Sequence, residues 1–413
     1  MKGWALRRFN PISESGLAKI YTGRDFCTIP AVAIVLGFSP HFSLKGVHLE
    51  ELRVLIAGGG TGGHIIPALA VAHELVERYS AEVLFVGTAR GMEIRLVPNA
   101  GFNLRLVDVG QLKNVSLLTR LRTLFNLPRS ISACRRLIRE FKPSVVFGVG
   151  GYASGPAMAA ALQLKIPAMA FEPNAIPGLA NRLVGKRVQA AAVNFPSAAA
   201  WFHNAEVTGI PVRPEFFTLK PPTAAAPHLL IFGGSQGARL FNNRLPEVLP
   251  ALLDAIPGLT VLHQSGLRHA EKTQAAYAAS GADPQRWQVL PFLDDMPARF
   301  AHANLVMARS GASTVAELAA AGKPALLVPF AAAADNHQSR NAEEMVNVGA
   351  AAMLHEWDLD VQGRLLDALV GLLTAPERLA TMSAAARSQA HSGAAERIAS
   401  RLATLAQVQT PTR

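Results

Sequence analysis

The sequence predicts an α/β protein built from two doubly wound, Rossmann-like domains with a cleft between them. Three observations lead there. Half of the 413 residues are hydrophobic and only 17% are charged, which suits large domains with buried parallel sheets. Short apolar runs alternate with helical stretches along most of the chain. Two of those runs, 52–57 and 228–232, end in glycine-rich loops at equivalent places, Gly58-Gly-Gly-Thr-Gly-Gly-His64 and Gly233-Gly-Ser-Gln-Gly-Ala-Arg239. Ligands of such folds bind outside the carboxyl ends of the strands, so both sets of loops can face one cleft.

Composition narrows the partners. A net charge of +11 favours an anionic one: phosphate, nucleic acid or an anionic membrane. The cysteines, Cys27 and Cys134, form neither a disulfide frame nor a CxxC metal site, which fits a reducing compartment. No cofactor and no metal are expected. No apolar run reaches the ~18 residues of a membrane span without a charge or a proline. Residues 1–50 differ from the rest. Lys2, Arg7 and Arg8 precede a short apolar run at 31–38, with no signal-peptide cleavage site after it. This segment is expected to be a poorly ordered extension, or to reflect a start codon placed too early, with a peripheral membrane anchor as the alternative.

The first domain is expected over 51–213. Strands at 52–57 and 82–87 flank a helix through 68–78, a βαβ unit. Gly58, Gly60 and Gly63 satisfy G-x-G-x-x-G, a weak signal on its own. A nicotinamide site also wants an acidic residue closing the second strand, and Val86-Gly87-Thr88-Ala89-Arg90 has none. Phosphate binding is therefore favoured over NAD. A turn needed only for close helix–sheet packing is the plainer alternative.

Residues 117–142 read as two amphipathic helical segments split at Pro128. Leu117, Leu121, Leu124 and Phe125 share a face of one; Ile131, Cys134, Leu137, Ile138 and Phe141 share a face of the other. Arg129, Arg135, Arg136, Arg139 and Lys142 fall away from that stripe. From Lys113 to Lys142 there are eight basic residues against one acidic, Glu140. For any one arginine an ordinary solvated face suffices. The cluster favours an anionic membrane surface, and the scarcity of interleaved aromatics argues against nucleic acid.

A strand at 143–149 runs into Gly148-Val-Gly-Gly-Tyr-Ala-Ser-Gly155 and a helix through Ala161. A strand at 168–171 leads to Glu172-Pro-Asn174, and Gly209-Ile-Pro-Val-Arg213 closes this half. Proline-rich residues 214–228 read as a linker. Over 229–383, strands at 260–264, 287–290, 304–307 and 325–329 alternate with helices. The end, 384–413, reads as one small-residue helix to 408 that returns towards the first domain, and a tail.

Within the second domain, 307–330 reads as strand, tight loop, short helix and strand. Thr314 and Glu317 have the S/T-x-x-E spacing of a capping box, which starts the helix at Thr314; Gly322 and Pro324 stop it. Its N-terminus points free N–H groups at whatever sits outside the first strand, a favourable place for an anion. Spacing alone favours Glu317 as a cap. The alternative is a carboxylate accepting both hydroxyls of a ribose.

Taken together and in this order, the loops resemble the MurG glycosyltransferase family over roughly 52–406. The likeness rests on Gly58-Gly-Gly-Thr-Gly-Gly-His64, Gly150-Gly-Tyr-Ala-Ser-Gly-Pro156, Glu172-Pro-Asn174, Gly209-Ile-Pro-Val-Arg213, Gly233-Gly-Ser-Gln-Gly-Ala-Arg239, Phe292-Leu-Asp-Asp-Met296 and Arg309-Ser-Gly-Ala-Ser-Thr-Val-Ala-Glu317. The resemblance implies the GT-B fold. It implies inverting transfer of N-acetylglucosamine from UDP-N-acetylglucosamine to lipid I, giving lipid II for peptidoglycan, at the cytoplasmic face of the inner membrane. It also implies other cell-wall synthesis proteins as partners. By the resemblance Ser310, Gly311, Ala312, Ser313, Thr314, Val315, Ala316 and Glu317 hold the donor, and Glu317 takes the ribose hydroxyls. Leu293 contacts uracil, Ser235 and Arg213 add donor contacts, and Gln338 reads the sugar. Thr61, Gly62, Gly63 and Asn174 line the reaction site. Phe171 and Pro173 depart from the family, which often has His and Gln there. The stretch 331–334 lacks the family's polar groups, and residues 1–50 have no counterpart.

The chemistry needs a base for the attacking hydroxyl and positive charge for the departing UDP. His64 and Glu172 are the two candidate bases. His64 at a helix start is expected to be neutral and so able to accept the proton, or else it only braces the loops. Glu172 acts as base, or else fixes the Pro173–Asn174 turn. The rival readings are a nicotinamide oxidoreductase, a nucleotide- or sugar-binding protein, and a glucosyl- or galactosyltransferase acting on lipid. A metal-dependent transferase would use Asp358-Leu-Asp360, which is expected instead to cap a surface helix.

Overall fold

The computed structural model describes residues 51–407, apart from 61, 90, 110–116 and 221–225. Residues 1–50, and with them the expected N-terminal extension, lie outside the described residues, as do Thr61 and Lys113. Among the described residues no helix is long and apolar enough to cross a membrane.

The first half runs β1 (Arg53–Gly58), α1 (Gly62–Tyr79), β2 (Glu82–Gly87), α2 (Glu93–Asn99), β3 (Asn103–Leu106), α3 (Leu117–Phe141) and β4 (Val145–Gly150). It continues through α4 (Ser154–Gln163), β5 (Ala168–Glu172), α5 (Leu179–Val184), β6 (Ala190–Val193), α6 (Pro196–Ala199) and β7 (Ala205–Val207). Its strands form one sheet in the order β3-β2-β1-β4-β5-β6-β7, every neighbouring pair parallel. The β1–β4 register slips between Ala57 and Gly58, where the chain leaves the sheet for its glycine-rich loop.

The second half repeats the plan. It runs β8 (His228–Phe232), α7 (Arg239–Ala255), β9 (Thr260–Gln264), α8 (Ala270–Ala279), β10 (Trp287–Leu290), α9 (Met296–His302) and β11 (Leu305–Ala308). Then follow α10 (Ala312–Ala321), β12 (Ala325–Leu327), α11 (His337–Asn347), β13 (Ala351–Met353), α12 (Arg364–Leu373), α13 (Pro376–Ser388) and α14 (Ala394–Gln407). The sheet order is β10-β9-β8-β11-β12-β13, again wholly parallel. In both halves the strand order reverses beside the strand that feeds the glycine-rich loop, the crevice where doubly wound folds bind ligands.

Alternate residues of each strand feed opposite faces, as the pleat requires. Val54 and Ile56 of β1 pack with α1, while Leu55 and Ala57 pack with α3 and α4. Leu229 and Ile231 of β8 join Phe241 and Leu245 of α7; Leu230 and Phe232 join Phe300 and Val315 on the other face. The halves share apolar contacts. Ala175 and Phe195 enter the second half's cluster, and Ala312 and Ala316 of α10 pack on the first half's. Ile398, Ala399 and Leu402 of α14 complete the first half's core, although they stand last in the chain.

Four expectations change. Pro128 does not split the 117–142 stretch, which is the one helix α3. Cys134, Ile138 and Phe141, after the proline, are buried in the core, and this tertiary packing outweighs the missing N–H. The C-terminal stretch is two helices, α13 and α14, with Gly393 in the left-handed region between them. The stretch 214–228 is not a plain linker. Pro214–Thr218 is a 3-10 turn whose Phe216 is fully buried edge-on to Phe300. Finally, α10 starts at Ala312 with Gly311 as its N-cap, and no side chain caps it. Glu317 thus lies in the second turn, beyond reach of the helix start, and the capping-box reading is wrong.

Candidate active site

Two glycine-rich loops of the first half lie against each other. Gly59 N donates to Gly150 O at 3.3 Å. Gly151 has φ +81°, and a Cβ there would fall 2.1 Å from Gly59 O, so no other residue allows this approach. Beneath the first loop sits Glu93, at the start of α2 and fully buried. Its carboxylate accepts from Gly60 N at 2.8 Å, Thr88 N at 2.9 Å and Thr88 Oγ1 at 3.1 Å. A Cβ on Gly59, Gly87 or Gly91 would run into it. The carboxylate that the end of β2 lacks in sequence is therefore supplied from α2. Its oxygens are occupied in holding the loop, and it is not placed to bind a ribose.

His64 lies in the first turn of α1, its ring against Gly150. Burial and, next, the charge of His337 lower its pKa to about 4, against the contrary push of the Val149 backbone and Glu93. The ring is neutral at pH 7. The cause differs from the expected helix dipole. Nδ1 is buried without a hydrogen-bond partner.

Glu172 ends β5 and is 2% exposed. Oε1 accepts from Asn174 N at 3.0 Å and Asn174 Nδ2 at 3.1 Å; Oε2 accepts from Gly178 N at 3.0 Å and Asn181 Nδ2 at 2.9 Å. Burial raises its pKa, and the four donors oppose that rise. With both oxygens filled, neither is open to a substrate hydroxyl. The geometry is that of a carboxylate fixing the turn.

In the second half, Gly311 hands the chain to α10, whose first N–H groups are free of side-chain caps. Ser310 is fully buried, and its Oγ donates to Gln338 O at 2.8 Å. Gln338 Oε1 in turn accepts from Phe330 N at 3.0 Å. Ser313, Thr314 and Ala316 are partly exposed, and Val315 is buried in the core. Glu317 makes no hydrogen bond or ion pair among the described residues. Burial raises its pKa to about 7, and the charge of Arg213 pulls it down. A partly buried carboxylate without a partner is costly unless it has a ligand to bind.

The other candidates differ in how they present themselves. Ser235 is exposed on its loop. Arg213 is exposed too, its guanidinium 5.1 Å over the Phe216 ring. Leu293 is 5% exposed and packs in the core, so its main chain is what can face a ligand; the ring of Phe292 beside it is 45% exposed. A cavity of about 860 Å³ joins the 233–239 loop to Gln338, Phe330 and Arg309; Glu317 and Leu293 lie outside it.

Two residues to which the sequence reading assigned no role organise the site. Arg309, 9% exposed, donates to Val328 O at 3.0 Å, to Pro329 O at 3.1 Å and to Glu356, whose Oε2 accepts from Ala331 N at 3.1 Å. It thereby holds the strand end beside Gln338. Asn341 hydrogen-bonds to both halves at once. Neither shows in sequence spacing, because their partners are distant along the chain. Asp358 and Asp360 have other duties: Asp358 Oδ2 accepts from His355 N at 2.7 Å as a cap of a 3-10 turn, and Asp360 pairs with Arg244 at 2.7 Å.

Comparison with known proteins follows this division into halves. Residues 54–193 match the glycosyltransferase family 28 N-terminal domain, and 228–398 match the glycosyltransferase family 28 C-terminal domain. A relative from Anaeromyxobacter dehalogenans (strain 2CP-C) is 45% identical over 355 residues, 84% of this chain and 91% of its own length. One from Solibacter usitatus (strain Ellin6076) is 45% identical over 349 residues, 84% and 94% of the two chains. Both are named UDP-N-acetylglucosamine–N-acetylmuramyl-(pentapeptide) pyrophosphoryl-undecaprenol N-acetylglucosamine transferase. The crystal structure of Acinetobacter baumannii MurG is similar at a TM-score of 0.70 and 31% identity, over 86% of this chain and 99% of that one.

Proposed function

Because this chain belongs to glycosyltransferase family 28, we propose that it moves N-acetylglucosamine from UDP-N-acetylglucosamine to the undecaprenyl-pyrophosphoryl-muramyl-pentapeptide lipid, with inversion. The observation that carries this reading is that relatives about 45% identical across both halves are named for that transfer. The geometry supports a division of labour. The amides at the start of α10 and the Arg213 guanidinium face the donor diphosphate, and Glu317 takes the ribose hydroxyls. The paired loops of the first half receive the acceptor's pyrophosphate.

His64 is the base. It is neutral, and Glu172, the other candidate, has no free oxygen. The acceptor hydroxyl gives its proton to the imidazole while its oxygen attacks the anomeric carbon from the side opposite UDP. The bond from that carbon to the phosphate oxygen breaks, and the new negative charge leaves on UDP, met by α10 and Arg213. The protein works peripherally at the cytoplasmic face of the inner membrane, where its lipid substrate lies. The exposed arginines of α3 face the anionic surface.

The test is calorimetric titration with UDP-N-acetylglucosamine, UDP-glucose and NADH, followed by a transfer assay on a soluble lipid acceptor analogue. Selective binding of the first and transfer of its sugar are expected. His64→Gln should bind donor normally and fail to transfer. Preference for UDP-glucose would make this a different lipid glycosyltransferase, and binding of NADH alone would return the site to nicotinamide chemistry.

A further inference from the structure

Asn341 sits in α11 and is fully buried. Its Oδ1 accepts from Ala175 N at 2.9 Å. Its Nδ2 donates to Ser310 O at 3.1 Å and to Asn174 Oδ1 at 3.1 Å. Two of these partners belong to the first half and one to the second. The orientation of the amide is not arbitrary. A backbone N–H must meet an oxygen and a backbone carbonyl must meet an N–H, so Ala175 and Ser310 fix which end is which. The same logic runs on. Asn174 Nδ2 is committed to Glu172 Oε1, which leaves its Oδ1 to face Asn341. An unbroken chain of hydrogen bonds thus runs from Glu172 through Asn174 and Asn341 to Ser310, and from Ser310 Oγ to Gln338 O.

We propose that Asn341 is a positioning residue that locks the acceptor half of the site to the donor half. It has both of its amide hydrogens taken within the protein. It fixes Asn174, at the acceptor side, relative to Ser310, which directly precedes the N-cap of α10. It therefore sets the distance between the attacking hydroxyl and the anomeric carbon. Nothing but an amide fits: a carboxylate has no N–H for Ser310 O and Asn174 Oδ1, and an apolar side chain satisfies none of the three. The proposal rests on the transfer reading above.

The test measures turnover and UDP-N-acetylglucosamine affinity side by side on the full chain, for wild type, Asn341→Asp and Asn341→Ala. Turnover should fall about 10- to 100-fold, as a ~1 Å misplacement of reacting groups does, with donor affinity unchanged. Arg78→Ala, which breaks the exposed Arg78–Glu396 pair between α1 and α14, should leave turnover intact. Donor affinity falling in step with turnover would mean that Asn341 only shapes the donor loop, and would overturn the proposal. Unchanged turnover in both variants would do the same. Failure of the wild type to bind donor at all would bring down the transfer reading, and it would show before any variant is made. Should neither variant fold, hydrogen exchange of the Ala175 amide in the wild type decides. Slowing on addition of UDP supports the lock; indifference to UDP overturns it.

Discussion

At pH 8 Glu317 is a charge that the unliganded protein would be better without. Its folded pKa, about 7, lies above its ordinary value of 4.5 because it is buried. A group raised in this way contributes stability that is fully present below the unfolded pKa and is lost as pH rises through the folded one. Melting temperature without ligand should therefore fall between about pH 5 and 8, and Glu317→Gln should remove that part of the slope. At pH 8 the variant should melt no lower than wild type, yet bind donor about 10- to 100-fold more weakly, the loss of a charged hydrogen-bonding pair. A variant that melts lower and binds normally would return Glu317 to a structural part. The residue was visible in sequence as an ambiguity, and α10, by starting two residues early, removes the capping role. Glu93 and Asn341 were not visible at all. A carboxylate beneath a glycine loop, or an amide between two halves, leaves no local spacing to read.

Among the elements, α3 shows what pattern reading gets right and where it stops. The buried stripe of Cys134, Ile138 and Phe141 follows from period, but Phe125, read onto the apolar face of the first segment, is exposed, and the helix does not break at Pro128. Burial also sorts the arginines. Arg135 is half-buried, with Nε enclosed, whereas Arg129, Arg136 and Arg139 are exposed along one face with Phe125, itself 81% exposed. Replacing those three exposed arginines by glutamine should weaken binding to anionic vesicles about 100-fold, near 1 kcal/mol for each charge. High salt should weaken the wild type in the same direction. Vesicle binding that ignores both changes would remove α3 from the membrane face.

For the whole molecule, the alternation of strands and helices made both sheets legible, because a buried parallel strand is a short apolar run wherever it occurs. How the halves are joined was less legible. The joints include Asn341, the Arg182–Asp335 pair at 3.7 Å, and α14 seated on the first half. Leu402 is fully buried there. Leu402→Ala should cost about 2–5 kcal/mol of the first half's stability, read as an earlier urea transition for a tryptophan in that half such as Trp201. An unshifted transition would show that α14 is only an ornament on that face.

The seating of α14 also sets an order of events during synthesis. Polypeptide leaves the ribosome at about 5–20 residues per second, so the stretch from Val207, the end of β7, to Ala394 takes roughly 10–40 s to appear. For that time the first half has all its strands but lacks one wall of its core. The nascent protein carries an open apolar face, a standing invitation to chaperones, until nearly the last helix has been made.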